Sequence, residues 1–363
     1  MFIIKRGKSM KVSIITVCLN SEKYIEKTIK SVLEQTYRNI EYIIVDGMST
    51  DNTLNIVEQY KPLFGERLKI ISEKDNGLYD AMNKGIKYAT GELIGIINSD
   101  DWYELDAVEN VIKIYKENKN SVIYGVMLYR RNEKISKIQI TDYKELGNMM
   151  INHPTVFIPK KIYDKVGEFN TKFKLASDYE LMLRMLNENI SFRHISKIIA
   201  NFREGGLSTI LAEQCENEAM EIKKKYGYGD KPYSIDVNMN IKTRFFWGKL
   251  IENINKYNEI YIYGSGTHTK VLIEYLSKNS NIIIKGIIDK NVKEQDRTFL
   301  EYKKYNIEEI IDDAKAIIIS SITYEYDIYE RIKKFKDKID IIRIYGADTV
   351  EEANNLIKEL RII

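Results

Sequence analysis

The chain has 363 residues, 30% of them charged and 44% hydrophobic, with a net charge of +3, which allows two domains with separate cores and gives no basis for nucleic-acid binding by charge. Two cysteines, Cys18 and Cys215, and three dispersed histidines, His153, His194 and His268, exclude a disulfide framework and a zinc site read from spacing. No apolar run reaches the length of a membrane span, and the opening M-F-I-I-K-R-G-K-S is not built like a signal peptide, so a cytoplasmic setting is expected.

From Lys11 onward the pattern alternates between strand and helix. Val12 to Cys18 is apolar and β-branched, Asn20 and Ser21 mark a turn, and Tyr24, Ile25, Thr28, Ile29, Val32 and Leu33 recur at helical spacing. Ile40 to Val45 reads as a second strand ending at Asp46-Gly47-Met48-Ser49-Thr50-Asp51. A helix over about Asn52 to Tyr60 and a strand over Leu68 to Ile71 follow. The segment Glu73 to Gly85, E-K-D-N-G-L-Y-D-A-M-N-K-G, is a turn leading into a helix. Ile94 to Trp102, I-G-I-I-N-S-D-D-W, is a buried strand stopping at the paired acids Asp100 and Asp101. This alternation predicts a mostly parallel, doubly wound sheet, in which ligands bind beyond the carboxyl ends of the strands. The polar clusters after Cys18, Val45, Ile71 and Ile97 all fall there. Adjacent carboxylates repel, so Asp100 and Asp101 call for a cation, and Mg²⁺ or Mn²⁺ favours such oxygen ligands. The competing reading is an acidic turn opening a helix from Glu104.

The ordered motifs S-I-I-T-V-C-L-N, V-D-G-M-S-T-D-N-T, D-N-G-L-Y-D-A-M-N-K-G, N-S-D-D and A-S-D-Y-E-L-M-L-R resemble those of the family 2 glycosyltransferases, over roughly residues 11 to 208. The resemblance implies a GT-A fold, a Rossmann-like mixed sheet, for a domain over residues 1–208. It implies Thr16 and Asp46 at the base and ribose of a nucleotide sugar, with Asn20 and Asp75 also on the donor side. Asp101 would contact the ion and Asp100 the ribose or sugar. Asn83 and Lys84 would reach the diphosphate, or else line a solvated helix face. Asp178 would be the general base. Many relatives carry two successive acids where this chain has Asp46-Gly47, which weakens base recognition by Asp46.

Val122 to Leu128 and Lys134 to Ile140 read as strands of an antiparallel extension around a turn at Arg130 to Glu133, and Asn152-His153-Pro154-Thr155 precedes a strand from Val156 to Ile158. His153 reads as a turn residue or, by resemblance, a site residue. Ser177-Asp178-Tyr179-Glu180 reads locally as a capping box with Ser177 as N-cap. Residues 209–256 are expected to form a helical connector with a break at Gly227 to Pro232. Within it K-T-R-F-F-W-G-K, Lys242 to Lys249, is either a membrane-surface stretch or a helix that buries its aromatics.

Glu259 restarts the strand-turn-helix pattern, with strands at Ile260 to Tyr263, Ile282 to Ile288, Ala316 to Ile319 and Ile341 to Tyr345. Residues 257–363 resemble a Rossmann-like domain of the sugar-nucleotide-binding kind. Gly264 and Gly266 would admit a phosphate at the helix start and Asp289 a ribose, although Thr269 stands where a third glycine is usual.

The expected function is a metal-dependent, inverting transferase using a nucleotide sugar, preferably a UDP-sugar. The resemblance gives a cell-surface glycan or lipid-linked saccharide as acceptor, with peripheral contact at the inner face of the membrane. The alternatives are a nucleotide-sugar-binding regulatory protein with a degenerate transferase domain, and a nicotinamide-linked oxidoreductase centred on Gly264.

Overall fold

The computed structural model describes residues 9–147, 150–229, 241–290, 292–293, 295, 297–358 and 360. The chain divides into two compact units. One comprises Met1–Arg131, Gln139–Ser234 and Ile357–Ile363, and the other Asn132–Ile138 with Ile235–Leu356.

The first unit opens with β1 (Val12–Cys18), α1 (Ile25–Leu33), β2 (Ile40–Asp46), α2 (Thr53–Phe64), β3 (Leu68–Ser72), α3 (Leu78–Tyr88) and β4 (Leu93–Ile96). There follow β5 (Trp102–Tyr103), α4 (Ala107–Glu117), β6 (Ser121–Arg131), β8 (Phe157–Pro159), α5 (Lys160–Val166), α6 (Ser177–Asn187) and β9 (Ser191–Arg203), while β7 (Lys134–Gln139), between β6 and β8 in the chain, falls almost wholly in the second unit. Two helices, α7 (Leu207–Ile210) and α8 (Ala212–Lys225), complete the first unit. Every residue of β1 is buried, as both faces of an interior parallel strand must be. The strands run in the order β3-β2-β1-β4-β8-β6-β9-β5. β1 pairs in parallel with both β2 and β4, so the strand order reverses at β1 and opens a crevice at its carboxyl end. Beyond β4 the sheet is mixed, with β8 antiparallel to β4 and β6 parallel to β9.

One core lies on each face of this sheet. Ile15, Met82, Ile86 and Tyr179 belong to one, and Ile14, Ile44, Val57 and Val111 to the other. Gly85 lets α3 seat closely, since a Cβ there would come within 2.5 Å of the Ile15 side chain.

The second unit contains α9 (Ile241–Ile254), β10 (Glu259–Tyr263), α10 (Thr267–Asn279), β11 (Ile283–Ile288), β12 (Thr298–Phe299), β13 (Tyr302–Tyr305), β14 (Ala316–Ile319), α11 (Glu325–Ile332), β15 (Asp340–Arg343) and α12 (Val350–Ile357). Its sheet order is β12-β13-β11-β10-β14-β15, with β13 to β15 parallel. Phe246 and Trp247 of α9 are buried, and Trp247 Nε1 donates to Tyr345 Oη at 3.0 Å. The structure therefore favours the aromatic-burying reading of this stretch over the membrane-surface one. The expected break at Gly227 to Pro232 lies partly outside the described residues.

Candidate active site

Four loops converge at the carboxyl ends of β1 to β4, and their polar side chains tie them together. After β1, Asn20 adopts φ 51° and its Oδ1 accepts from the Thr50 amide at 2.8 Å, while Ser49 Oγ accepts from the Asn20 amide at 2.8 Å. Ser21 and Ser99 share a hydroxyl–hydroxyl bond of 2.8 Å, which fastens the β1 loop to the acidic turn after β4. Asp46 ends β2 fully buried, accepting from Ser72 Oγ at 2.7 Å and from the Ser49 amide. A Cβ on Gly47 would lie 2.4 Å from Asp75 Oδ2, so glycine is what admits the Asp75 carboxylate beside Asp46. Asp75 Oδ1 accepts from the Gly77 amide at 2.9 Å at the entry to α3.

Asp101 is completely buried. Its Oδ1 accepts from the Arg203 amide at 2.9 Å, and its Oδ2 is a buried oxygen with no hydrogen-bond partner among the described residues. Burial raises its pKa well above the carboxylate range and the adjacent Asp100 raises it further, against the opposing pull of Arg203. Asp100 is paired with Arg203 Nη2 at 2.7 Å, and that guanidinium lies 4.0 Å over the ring of Tyr24. Thus Arg203, the last residue of β9, holds both acids, one through its backbone and one through its side chain. The helix expected from Glu104 starts at Ala107, three residues beyond.

Asp178 sits on the first turn of α6, nine-tenths buried. Its Oδ1 accepts from Tyr79 Oη at 2.8 Å and from the Tyr179 amide at 3.0 Å. Burial raises its pKa, and the charge of His153 with these hydrogen bonds opposes the rise. His153 is itself buried, which lowers its pKa against the effect of Asp178, and its ring packs edge-on to Phe169. The capping box is not formed. Ser177 Oγ donates to the Asn170 carbonyl at 2.9 Å, Ala176 is the N-cap, and Glu180 is held by Arg184, Lys225 and Tyr226. The segment before α6 is pinned instead by Glu218, whose carboxylate accepts from the amides of Lys174, Leu175 and Ala176 at 2.8–3.0 Å.

Not every expected donor residue faces the crevice. Thr16 is fully buried within β1, and its hydroxyl accepts from Tyr42 Oη at 3.0 Å. Asn83 is buried and clasps the backbone of Phe169 with both ends of its amide, at 2.9 Å each. Lys84 donates to the Lys74 carbonyl at 2.6 Å and pairs with Glu73 at 3.1 Å. A core strand position and a helix face look alike in sequence whether they touch ligand or backbone. Conversely, Arg203, Tyr79 and Glu218 were not singled out from sequence. Strand pairing brings Arg203 to its acids, and the packing of α3 and α8 brings Tyr79 and Glu218 to the start of α6, all of which is tertiary.

In the second unit, Gly264 takes φ 120°, and a Cβ there would lie 2.8 Å from the Ser320 carbonyl. The approach of the chain after β14 thus accounts for this glycine. Gly266 is extended and unconfined. Ser265 Oγ donates to Asp289, and Thr269 Oγ1 donates to Gly264 O at 2.8 Å. His268 bridges Ser320 Oγ and Tyr345 Oη at 2.8 and 2.9 Å. The turn is stitched by its own side chains.

The sequence model of Glycosyl transferase family 2 matches residues 13–191, the span that builds the crevice. A PGL/p-HBAD biosynthesis glycosyltransferase of Mycobacterium bovis is 30% identical over 206 residues, covering 56% of this chain and 80% of that protein. The chain belongs to glycosyl transferase family 2. It is a glycosyltransferase, and its first sheet is of the GT-A type. A chondroitin synthase of Escherichia coli is 29% identical over 67% of this chain, although the match spans only 37% of that longer protein. Among solved structures, a mannosyltransferase of Pyrobaculum calidifontis in complex with GDP-Man and Mn²⁺ superposes with a TM-score of 0.50 at 15% identity. That match covers 62% of this chain and 66% of the mannosyltransferase, and it bears on the fold alone.

Proposed function

We propose that the chain is a metal-dependent, inverting glycosyltransferase that moves a sugar from a nucleotide donor, preferably a UDP-sugar, to a hydroxyl of a cell-surface glycan or lipid-linked saccharide. The observation that carries the metal reading is Asp101 Oδ2, a buried carboxylate oxygen without a hydrogen-bond partner among the described residues, beside a second carboxylate. Among the described residues no cluster of three metal-ligating side chains exists. Asp101 and Asp100 would therefore hold Mn²⁺ or Mg²⁺ together with donor phosphates and water, as such ions are commonly held. Bound there, the ion would neutralise charge on the departing diphosphate.

The remaining steps fall to the chain's own residues. Asp75, admitted by Gly47, would face the nucleoside, and Asp46 would position it from the buried side. Asp178 would take the acceptor hydroxyl proton as that oxygen attacks the anomeric carbon opposite the leaving group. Its raised pKa suits a base working nearer neutral pH than a free carboxylate. Support for a nucleotide-sugar donor comes from family membership, and the preference for UDP is carried by the motifs. A binding protein with a degenerate site would not retain both the unpartnered Asp101 oxygen and the Tyr79–Asp178 bond.

The test is a thermal-shift screen of UDP-, GDP- and dTDP-sugars in Mn²⁺ and in EDTA. A donor at about 100 times its dissociation constant adds roughly 2.7 kcal/mol of stability. The reading fails if no nucleotide sugar raises the melting temperature in Mn²⁺ beyond its effect in EDTA. Product anomeric configuration by NMR tests inversion.

A further inference from the structure

The second unit contains a cleft of about 500 Å³ lined by Lys134, Arg331, Lys333, Lys334, Lys336 and Arg343. Its volume falls in the range of roughly 300–1,000 Å³ usual for small-ligand clefts. Two carboxylates, Glu330 and Asp348, share that lining, and both are already engaged. Glu330 pairs with Lys134 at 3.1 Å and Lys333 at 2.8 Å, while Asp348 accepts from Tyr329 Oη at 2.6 Å and pairs with Arg343 at 3.3 Å. Arg331, Lys334 and Lys336 are exposed and have no carboxylate within ion-pair distance among the described residues. A chain whose whole net charge is +3 thus concentrates an excess of positive charge in one concavity.

Isolated surface lysines are ordinarily solvated and carry no meaning. Here the floor is built as well as the rim. The Arg343 side chain is only 7% exposed, and its guanidinium lies 4.7 Å over the ring of Tyr329. It also donates to the carbonyls of Ser136 and Ala347 at 3.1 and 3.0 Å, so the floor is rigid. Gly346 is required beneath it, because a Cβ there would collide with the guanidinium. The shape and the apolar content select among anionic partners. A membrane-docking face sets cations around exposed apolar side chains that enter the lipid. The apolar residues of this cleft, Ile135, Tyr326, Tyr329 and Ala347, are all buried. A concave basic rim over a rigid floor suits a flexible chain bearing discrete anionic groups.

We propose that this cleft binds an anionic oligosaccharide, with Arg331, Lys334 and Lys336 meeting its carboxylate or phosphate groups. The choice of a glycan over another polyanion rests on the chain's being a glycosyltransferase. Binding is measured without donor and apart from transfer, so the two readings fail separately.

The experiment is calorimetric titration of the full-length chain, at low salt, with oligogalacturonate and with a glycerol-phosphate oligomer. Neutral maltohexaose, phosphatidylglycerol vesicles and a single-stranded oligonucleotide serve as the other arms. The expected result is saturable binding of at least one anionic oligomer, none of maltohexaose, and weakening as salt shortens the screening length. The double substitution Lys334→Ala with Lys336→Ala removes two exposed, unpaired cations. It should leave the melting temperature unchanged and weaken binding roughly tenfold. Binding of vesicles or oligonucleotide without either anionic oligomer overturns the proposal. So does equal affinity in parent and double variant, or no saturable heat with either oligomer.

Discussion

Arg203→Met isolates what the guanidinium does for the acidic pair, because the backbone amide that donates to Asp101 stays in place. The substitution removes a 2.7 Å contact to Asp100, both side chains being about one-quarter exposed, and a cation–ring contact at 4.0 Å on Tyr24. Two unit charges at about 4 Å attract by about 4 kcal/mol at an effective dielectric of 20, and desolvation offsets most of that. A pair of this exposure retains about 1 kcal/mol, and the ring contact adds about 0.5–1 kcal/mol. The expected loss is therefore about 1–2 kcal/mol, a fall of about 2–8 °C in melting temperature for a unit of this size. Scanning calorimetry of parent and variant, with and without Mn²⁺ and UDP together, gives the decisive comparison. If an ion joins the two acids, it replaces the missing cation, and the gap between parent and variant narrows when ion and nucleotide are present. A gap that stays constant, or a variant as stable as the parent without ligand, refutes this account of the acidic pair.

Further outcomes follow from the same electrostatics. Asp101→Asn keeps the acceptor for the Arg203 amide but cannot ionise. Because burial raises the folded-state pKa of Asp101, the native acid loses stability as pH rises from its unfolded value of about 3.9 through the raised one. At pH 8 the variant should melt no lower than the parent, yet lose Mn²⁺-dependent donor binding by calorimetry. Asp178→Asn should leave donor affinity intact while transfer falls by about 10² to 10⁴, and a variant keeping a tenth of parental turnover excludes the base role. In the parent, kcat should rise with pH along an acid limb above the ordinary carboxylate range, given the raised pKa of Asp178. His194 has both ring nitrogens without hydrogen-bond partners among the described residues, and burial pushes its pKa down to about 3. Its neutral form supports the fold above about pH 6.5, and that support is lost as pH falls toward 3, at up to about 1.4 kcal/mol per unit. His194→Phe should flatten this acid-side decline in melting temperature.

The crevice was legible because parallel strands place their carboxyl-terminal loops together whatever the loops contain. Four polar clusters at four strand ends in the sequence become Asn20, Asp46, Asp75 and Asp100–Asp101 around one crevice. What the sequence does not encode locally is which atoms remain unpaired. Asn83 and Lys84 stand on the same helix as Tyr79, which reaches Asp178, but Asn83 clasps the Phe169 backbone and Lys84 donates to the Lys74 carbonyl. Arg203 lies about a hundred residues from the acids it holds, and only the pairing of β9 with β5 and β6 brings it there. The Ser177–Glu180 spacing fits a capping box, yet longer-range partners, Asn170 for the serine and Arg184, Lys225 and Tyr226 for the glutamate, outcompete the local pair. In the second unit Gly264 is expected to give room for a phosphate, and a Cβ there would lie 2.8 Å from the Ser320 carbonyl, so the chain's own backbone already requires the glycine.

Asp101 and Asp178 share one perturbation and differ in what offsets it. Burial raises both. At Asp178 the chain itself opposes the rise, through His153, Tyr79 and the Tyr179 amide, so its titration is set before any ligand arrives. At Asp101 the neighbouring Asp100 adds to the rise, Arg203 opposes it, and Oδ2 has no hydrogen-bond partner among the described residues. In the proposed roles, a cation arriving with the donor must therefore displace any proton that Asp101 carries, and by linkage donor affinity strengthens as pH rises through that titration. Asp178 contributes nothing to that slope, because it meets the acceptor. The pH dependence of donor binding and that of turnover then belong to different residues. Asp101→Asn should abolish the first, and Asp178→Asn should leave it unchanged.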